Sequence, residues 1–189
     1  MQQNKQADQH NMLVLVDEND EPTGIIEKME AHEKGLLHRA FSVFLFDDKG
    51  RMLLQQRSMS KYHSAGLWTN ACCSHPYPGE AVKDAGVRRL QEELNISADI
   101  HKAFDFIYHA PFDNGLTEYE FDHVFIGQYA GDINFNRDEV MAVQYMDLDV
   151  LQKAIAADPS AYTAWFKIAL PRLREYLKLQ VAAAGSHEA

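Results

Sequence analysis

One helical pattern in the middle of a strand-rich chain restricts what this sequence can fold into. In GEAVKDAGVRRLQEELNI, residues 79–96, the apolar residues Val82, Ala85, Leu90 and Leu94 recur at helical spacing and charged side chains take the opposite face. Asn95 follows as a left-handed cap. Strand patterns precede it: MLVLVD and IIEK form a hairpin around ENDEPTG, and HRAFSVFLFDDKGRMLLQQR holds two strands around Asp48-Lys49-Gly50. Three more β-rich segments follow, HKAFDFIYH, YEFDHVFIGQY and EVMAVQYMDL. The chain then turns helical, with DLDVLQKAIAADP and SAYTAWFKIALPRLREYLKLQ, where Pro171 predicts a kink or an interruption. Strands on both sides of one central helix, with helices at the end, predict an α+β fold in which a mixed β-sheet is layered with helices. At 189 residues such a fold buries a real core.

The formal charge of −10 argues against a broad nucleic-acid or anionic-membrane surface, since phosphate-rich partners are held by Lys and Arg. An anionic substrate would need a local cluster of cations, or a metal. The lead MQQNKQADQH lacks the apolar stretch of a signal peptide, and no apolar run approaches the ~20 residues of a membrane span, so the expected location is cytoplasmic.

The only two cysteines, Cys72 and Cys73, stand side by side in TNACCSHP. A bridge between neighbours would be strained, and there is no other partner, so both read as thiols in a reducing compartment. In an extended segment adjacent side chains leave on opposite sides, so one thiol can face a site while the other faces the core.

From Ser74 the spacing runs five residues to Glu80 and seven more to RRLQEELNI. This resembles the Nudix signature, G-x5-E-x7-R-E-U-x-E-E-x-G-U, with Glu80, Arg88, Leu90, Glu92, Glu93 and Ile96 in place. Ser74, Arg89 and Asn95 depart from it, standing where Gly, Glu and Gly belong. The physical sense of such a box is a helix whose carboxylates hold divalent cations, which in turn bind a diphosphate. Arg89 replaces one such ligand by a positive charge, which weakens the case for ordinary Nudix hydrolysis. On the helix alone, Arg88 with Glu92 and Arg89 with Glu93 also read as ion pairs one turn apart on a solvated face.

Several stretches together, EKMEAHEKGLLHRAFS, QQRSMSKYHSAGLWTN, TNACCSHP, RRLQEEL and TEYEFDHVF, resemble the type 1 isopentenyl-diphosphate isomerases, a branch of the Nudix superfamily, from about residue 12 to about residue 178. The resemblance implies a disordered lead over 1–10, one isomerase domain over 11–180 and a loose tail over 181–189. It implies a metal site of His32, His38, His75, Glu118 and Glu120. Three imidazoles and two carboxylates suit Mn²⁺, Zn²⁺ or Mg²⁺, and Glu118 and Glu120, two apart in a strand, leave the same face. Taken singly, each of these histidines fits a structural or surface role better than that of a ligand; the five positions together reverse the weighting. Glu93 matches the residue that holds a second ion, Mg²⁺, against the substrate diphosphate, and Lys28, Arg57, Lys61 and Arg89 match its cationic contacts.

The implied activity interconverts isopentenyl and dimethylallyl diphosphate without flavin, adding a proton to one carbon and removing one from another. Glu120 would be the acid, helped by Tyr108; Cys73 would exchange the second proton, and the Trp165 ring would stabilise a carbocation. The expected partner is a small isoprenoid diphosphate, with no nucleic acid or membrane, and the chain a monomer or homodimer. Two competing readings are a Nudix hydrolase of a diphosphate compound and a non-catalytic diphosphate-binding sensor. Cys72 falls on a position without an assigned role. Turnover measurements should therefore find Cys72→Ser largely active and Cys73→Ser nearly dead; equal losses would mean the pair has been divided wrongly.

Overall fold

The structure, a computed structural model, describes residues 10–61 and 63–185; most of the expected N-terminal lead and the last four residues of the expected tail lie outside them. Strands β1 (Met12–Val16) and β2 (Pro22–Glu27) pair antiparallel across a turn in which Asp17 Oδ1 accepts from the backbone N–H of Asn19 and Glu21. Glu27 then caps helix α1 (Lys28–Lys34), accepting from the Glu30 N–H, and Gly35 ends it in the left-handed conformation, φ 60°. The sequence pattern does not announce this helix, because seven residues are too few for a period to show.

The remaining elements are β3 (His38–Phe46), β4 (Met52–Arg57), β5 (Trp68–Thr69), β6 (Cys72–Ser74), α2 (Val82–Leu94), β7 (Ile100–Pro111), β8 (Thr117–Gln128), β9 (Val140–Met146), α3 (Leu148–Ala157), a 3₁₀ turn at Pro159–Ala161 and α4 (Ala164–Gly185). All nine strands form one mixed sheet. Its hub is β3, a nine-residue strand rich in aromatic and branched residues. Strand β8 runs parallel beside it in continuous register, His38 opposite Glu120 through Phe46 opposite Gln128. On the other side the short β6 pairs antiparallel, placing Cys73 opposite Ser42. Strand β7 pairs with β8, setting Tyr108 opposite Glu120.

The sheet buries both faces. Phe41, Val43 and Leu45 of β3 join Leu90 and Leu94 of α2 in one core, while Phe44 joins Leu151, Phe166, Leu170 and Leu173 under α3 and α4 in the other. Helix α2 lies so close to the sheet that a Cβ on Gly86 would stand 2.9 Å from Ile100 Cδ1 and 3.4 Å from Val43 Cγ2. The two thiols separate across these layers: Cys72, fully buried, belongs to the α2 core, and Cys73 packs against the other.

Pro171 does not interrupt the last helix, which runs through it from Ala164 to Gly185 and so into the segment read as a tail. Pro171 is exposed, so water reaches the carbonyl its missing N–H leaves unpaired, and buried Leu170 and Leu173 on either side hold the helix to the sheet. Among the described residues no helix is long and apolar enough to cross a membrane.

Asn95 caps α2 as its sequence predicts, at φ 55° with its N–H donating to Leu90 and Gln91 carbonyls. Asn95→Gly should leave thermal stability unchanged or slightly raised, whereas Asn95→Val should cost about 1–2 kcal/mol in urea unfolding, the penalty of a branched side chain in this conformation.

Candidate active site and metal centre

Strand β8 alternates, so Glu118, Glu120 and Asp122 all leave one face and point into the protein, each less than a tenth exposed. Burying carboxylates demands partners. Helix α1 brings His32 to 3.3 Å from Glu118 Oε2, and β3 brings His38 Nε2 to 3.9 Å from the same oxygen and 3.6 Å from Glu120 Oε1. His75, just past β6, lies 2.9 Å from Glu120 Oε1.

Donor atoms of His32, His38, His75 and Glu118 all lie within 4.8 Å of one another. Among the described residues, His38 Nε2 and Glu118 Oε2 are buried with no hydrogen bond. Burial, with the Lys28 charge nearby, holds His75 well below the ordinary imidazole range, so it is neutral and can ligate. Mixed imidazole and carboxylate donors, converging and under-satisfied, fit a divalent cation. Glu120 borders this set through His75 and His38.

Two groups suited to proton transfer stand at either side of β3. Burial and the neighbouring Glu118 charge raise Glu120 to about 7, while Glu118, despite burial, is held well below the carboxylate range by the His32 and His63 imidazoles against its two oxygens. Tyr108 donates its hydroxyl to Glu120 Oε2 at 2.6 Å, and burial beside these carboxylates keeps the phenol protonated. On β6, Cys73 Sγ donates to Asn70 Oδ1 (3.0 Å) and lies 3.3 Å from Ser42 Oγ, whose hydroxyl donates to Asp122 Oδ2 (2.8 Å). Burial and the Asp122 charge push the Cys73 thiol well up, so the resting group is a thiol.

One cleft opens onto Cys73, Glu120, Tyr108, Glu118, His75 and Trp165, and onto the four cations Lys28, Arg57, Lys61 and Arg89. Lys61 and Arg89 converge on the carboxylate of Glu139, and Arg57 lies 5.1 Å from the Trp165 ring centroid. Glu93 also lines the cleft, with Oε1 accepting from Arg89 at 2.5 Å and Oε2 from Gln55 at 2.8 Å. The helix pairs Arg88–Glu92 (3.3 Å) and Arg89–Glu93 both form, so the ion-pair reading of α2 holds beside the lining role of Arg89 and Glu93.

The fold thus gathers the residues that the resemblance assigns to the site onto one cleft, except His32 and His38, which join the metal set beneath it. Sequence reading missed His63, 2.9 Å from Glu118 Oε1, and the Asn70, Ser42, Asp122 and Glu139 contacts. Asp122 was within reach, because it continues the alternation of Glu118 and Glu120. His63 and Glu139 carry no spacing signal.

A mixed sheet with a carboxylate-bearing helix beside a His/Glu metal set and a cationic rim defines a Nudix protein, and the NUDIX domain matches residues 36–166 of this chain. Solved structures share the fold: a Deinococcus radiodurans protein with a TM-score of 0.71, 23% identity, 85% of this chain and 98% of that one, and a MutT protein of Methanosarcina mazei with a TM-score of 0.61, 19% identity, 75% and 96%. The relatives are narrower in kind. Isopentenyl-diphosphate Delta-isomerase 2 of Photorhabdus laumondii is 51% identical over 82% of this chain and 88% of its own length. Isopentenyl-diphosphate Delta-isomerase of Burkholderia multivorans is 48% identical over 85% and 91%. The chain belongs to the isopentenyl-diphosphate Delta-isomerase family.

The raised value of Glu120 has a measurable consequence. The native state holds this proton more tightly than the unfolded chain does, so the stability it contributes is present below pH 4.5 and lost as pH rises through about 7. In metal-free protein, Glu120→Gln, which cannot ionise, should gain on the wild type by roughly 3 kcal/mol across that window in urea unfolding. A difference constant with pH would show that Glu120 is not raised.

Proposed function

We propose that this chain interconverts isopentenyl and dimethylallyl diphosphate with Glu120 and Cys73 as its two proton-exchanging groups. The observation that carries the reading is their placement in the lining of one cleft, on strands either side of β3.

The diphosphate would lie against Lys28, Arg57, Lys61 and Arg89, which make this part of a chain of net charge −10 locally positive. His32, His38, His75, Glu118 and Glu120 would hold a divalent ion, Mn²⁺, Zn²⁺ or Mg²⁺, and Glu93 would hold Mg²⁺ together with the diphosphate. Bound there, such ions supply positive charge that acidifies neighbouring groups and neutralises phosphate oxygens.

With the head group fixed, Glu120 donates a proton to the terminal alkene carbon, and the Tyr108 hydroxyl, bonded to Oε2, stabilises the carboxylate left behind. An alkene is a poor base, so both proton groups must act out of water, as their burial provides. The tertiary cation that results lies toward Trp165, whose ring already accepts the Arg57 guanidinium at 5.1 Å. Cys73 passes its thiol proton by way of Ser42 Oγ to Asp122 and, as thiolate, takes the proton from the carbon next to the oxygen-bearing one, and the double bond re-forms. A group whose thiol is hard to ionise is a strong base once ionised. Asn70 and Ser42 hold the sulfur in place for the transfer. No electrons leave or enter the substrate, so these steps give a flavin no redox task.

Arg89 speaks against hydrolysis, because it fills with positive charge a place on the acidic ridge and ties up Glu93 and Glu92. Incubation with isopentenyl diphosphate and Mg²⁺ or Mn²⁺ should yield the acid-labile allylic isomer with its diphosphate intact, and Cys73→Ala and Glu120→Gln should each lower kcat by about 10³-fold. Release of a shortened phosphate chain, or full turnover by either variant, would sink the assignment.

A further inference from the structure

Glu118 is gripped at both oxygens. Oε2 faces His32 at 3.3 Å and His38 at 3.9 Å, and so points into the metal set. Oε1 points away, to Nε2 of His63 at 2.9 Å. His63 comes from the segment between β4 and β5, which also carries Lys61, and no spacing in the sequence links it to the other histidines.

The imidazole has little freedom. Its ring stacks on Phe112 at 4.9 Å and 17° and meets the Trp165 ring edge-on at 5.7 Å. Nδ1 lies 3.2 Å from Ser64 Oγ, and Nε2 faces the Glu118 carboxylate, which as an ion can only accept, so Nε2 is the N–H that donates. The His63 backbone carbonyl in turn accepts from Arg57 Nη2 at 3.2 Å. A carboxylate can swing about its terminal torsion, and a fixed donor on one oxygen stops it, leaving the other aimed at the metal set.

Resting on the metal-dependent reading above, we propose that His63 is a positioning residue for the metal centre: by holding Oε1 it turns Oε2 of Glu118 toward His32, His38 and His75 and so sets the affinity for the divalent ion. The same ring, wedged between Phe112 and Trp165, joins the metal ligand to the wall of the cleft where the hydrocarbon would lie.

The test compares full-length wild type, His63→Gln, which keeps an N–H donor at about the same reach, and His63→Leu, which fills the space without one. Each is stripped of metal, checked for folding by circular dichroism and titrated with Mn²⁺, the free ion being read by electron paramagnetic resonance. His63→Leu should bind Mn²⁺ about 10–100-fold more weakly than wild type, and His63→Gln should recover most of that loss. Wild-type affinity in His63→Leu, or equal weakening in both variants, would overturn the proposal, the second because packing rather than the hydrogen bond would then be responsible. If wild type itself binds no Mn²⁺, the metal-dependent reading falls and takes this inference with it. Should His63→Leu fail to fold, wild-type-like binding by His63→Gln together with weakened binding by a folded His63→Met supports the role, and wild-type-like binding by both overturns it.

Discussion

Strand β8 sends Glu118, Glu120 and Asp122 to one buried face, and three carboxyls so close cannot all be ionised there. The fold resolves this unequally. Glu118, faced by His32 and His63, stays charged; Glu120, buried with Glu118 beside it and a phenol on one oxygen, rises to about 7; Asp122, buried and bonded to Ser42, rises well above its usual value. One strand therefore presents an anion, an acid that titrates near neutrality and a carboxyl that ionises reluctantly in successive inward positions. Everything around it follows from satisfying that strand: the short helix α1 exists at the one place that delivers His32, and β3 delivers His38 from the adjacent register position.

The second constraint is the pairing of β6 with β3. Three residues of strand suffice to set which thiol goes where, because pleating sends Cys72 into the α2 core and Cys73 to the opposite layer. The two sulfurs share a sequence position within one residue and nothing else. Cys72 meets Glu93 at 3.8 Å behind the sheet, while Cys73 meets Asn70 and Ser42 and opens to the cleft. A register slip of one residue would exchange them, so the reactive position depends on the bonds that hold Ser42 opposite Cys73.

At the rim, charge does the opposite work. Lys61 and Arg89 meet at Glu139, and Arg89 also meets Glu92 and Glu93. These pairs keep the cations ordered around an opening that a diphosphate can enter by exchanging one set of anionic oxygens for another. In this family setting the substitution at Arg89 reads as a change of purpose for the helix, from a row of carboxylates toward a mixed surface that grips phosphate.

The central helix, its Asn95 cap, the main strands and the order α+β were legible in the sequence because each rests on a local period or a local backbone preference, and the paired Glu118 and Glu120 were legible because a strand alternates. Helix α1 and strand β6 were not, being too short to show a period, and the helix that continues through Pro171 is held by buried Leu170 and Leu173 on either side. His63 and Glu139 have no periodic signature at all; each is defined by what lies across the fold, a carboxylate on β8 for the one and two cations for the other. Sequence by itself determined the layered fold class and, through motif spacing, the set of groups that could do chemistry. Only the tertiary structure decided which carboxylate is ionised, which thiol faces the cleft and which histidine meets Glu118 from outside the candidate metal set, because those depend on burial and on contacts between residues far apart in the chain.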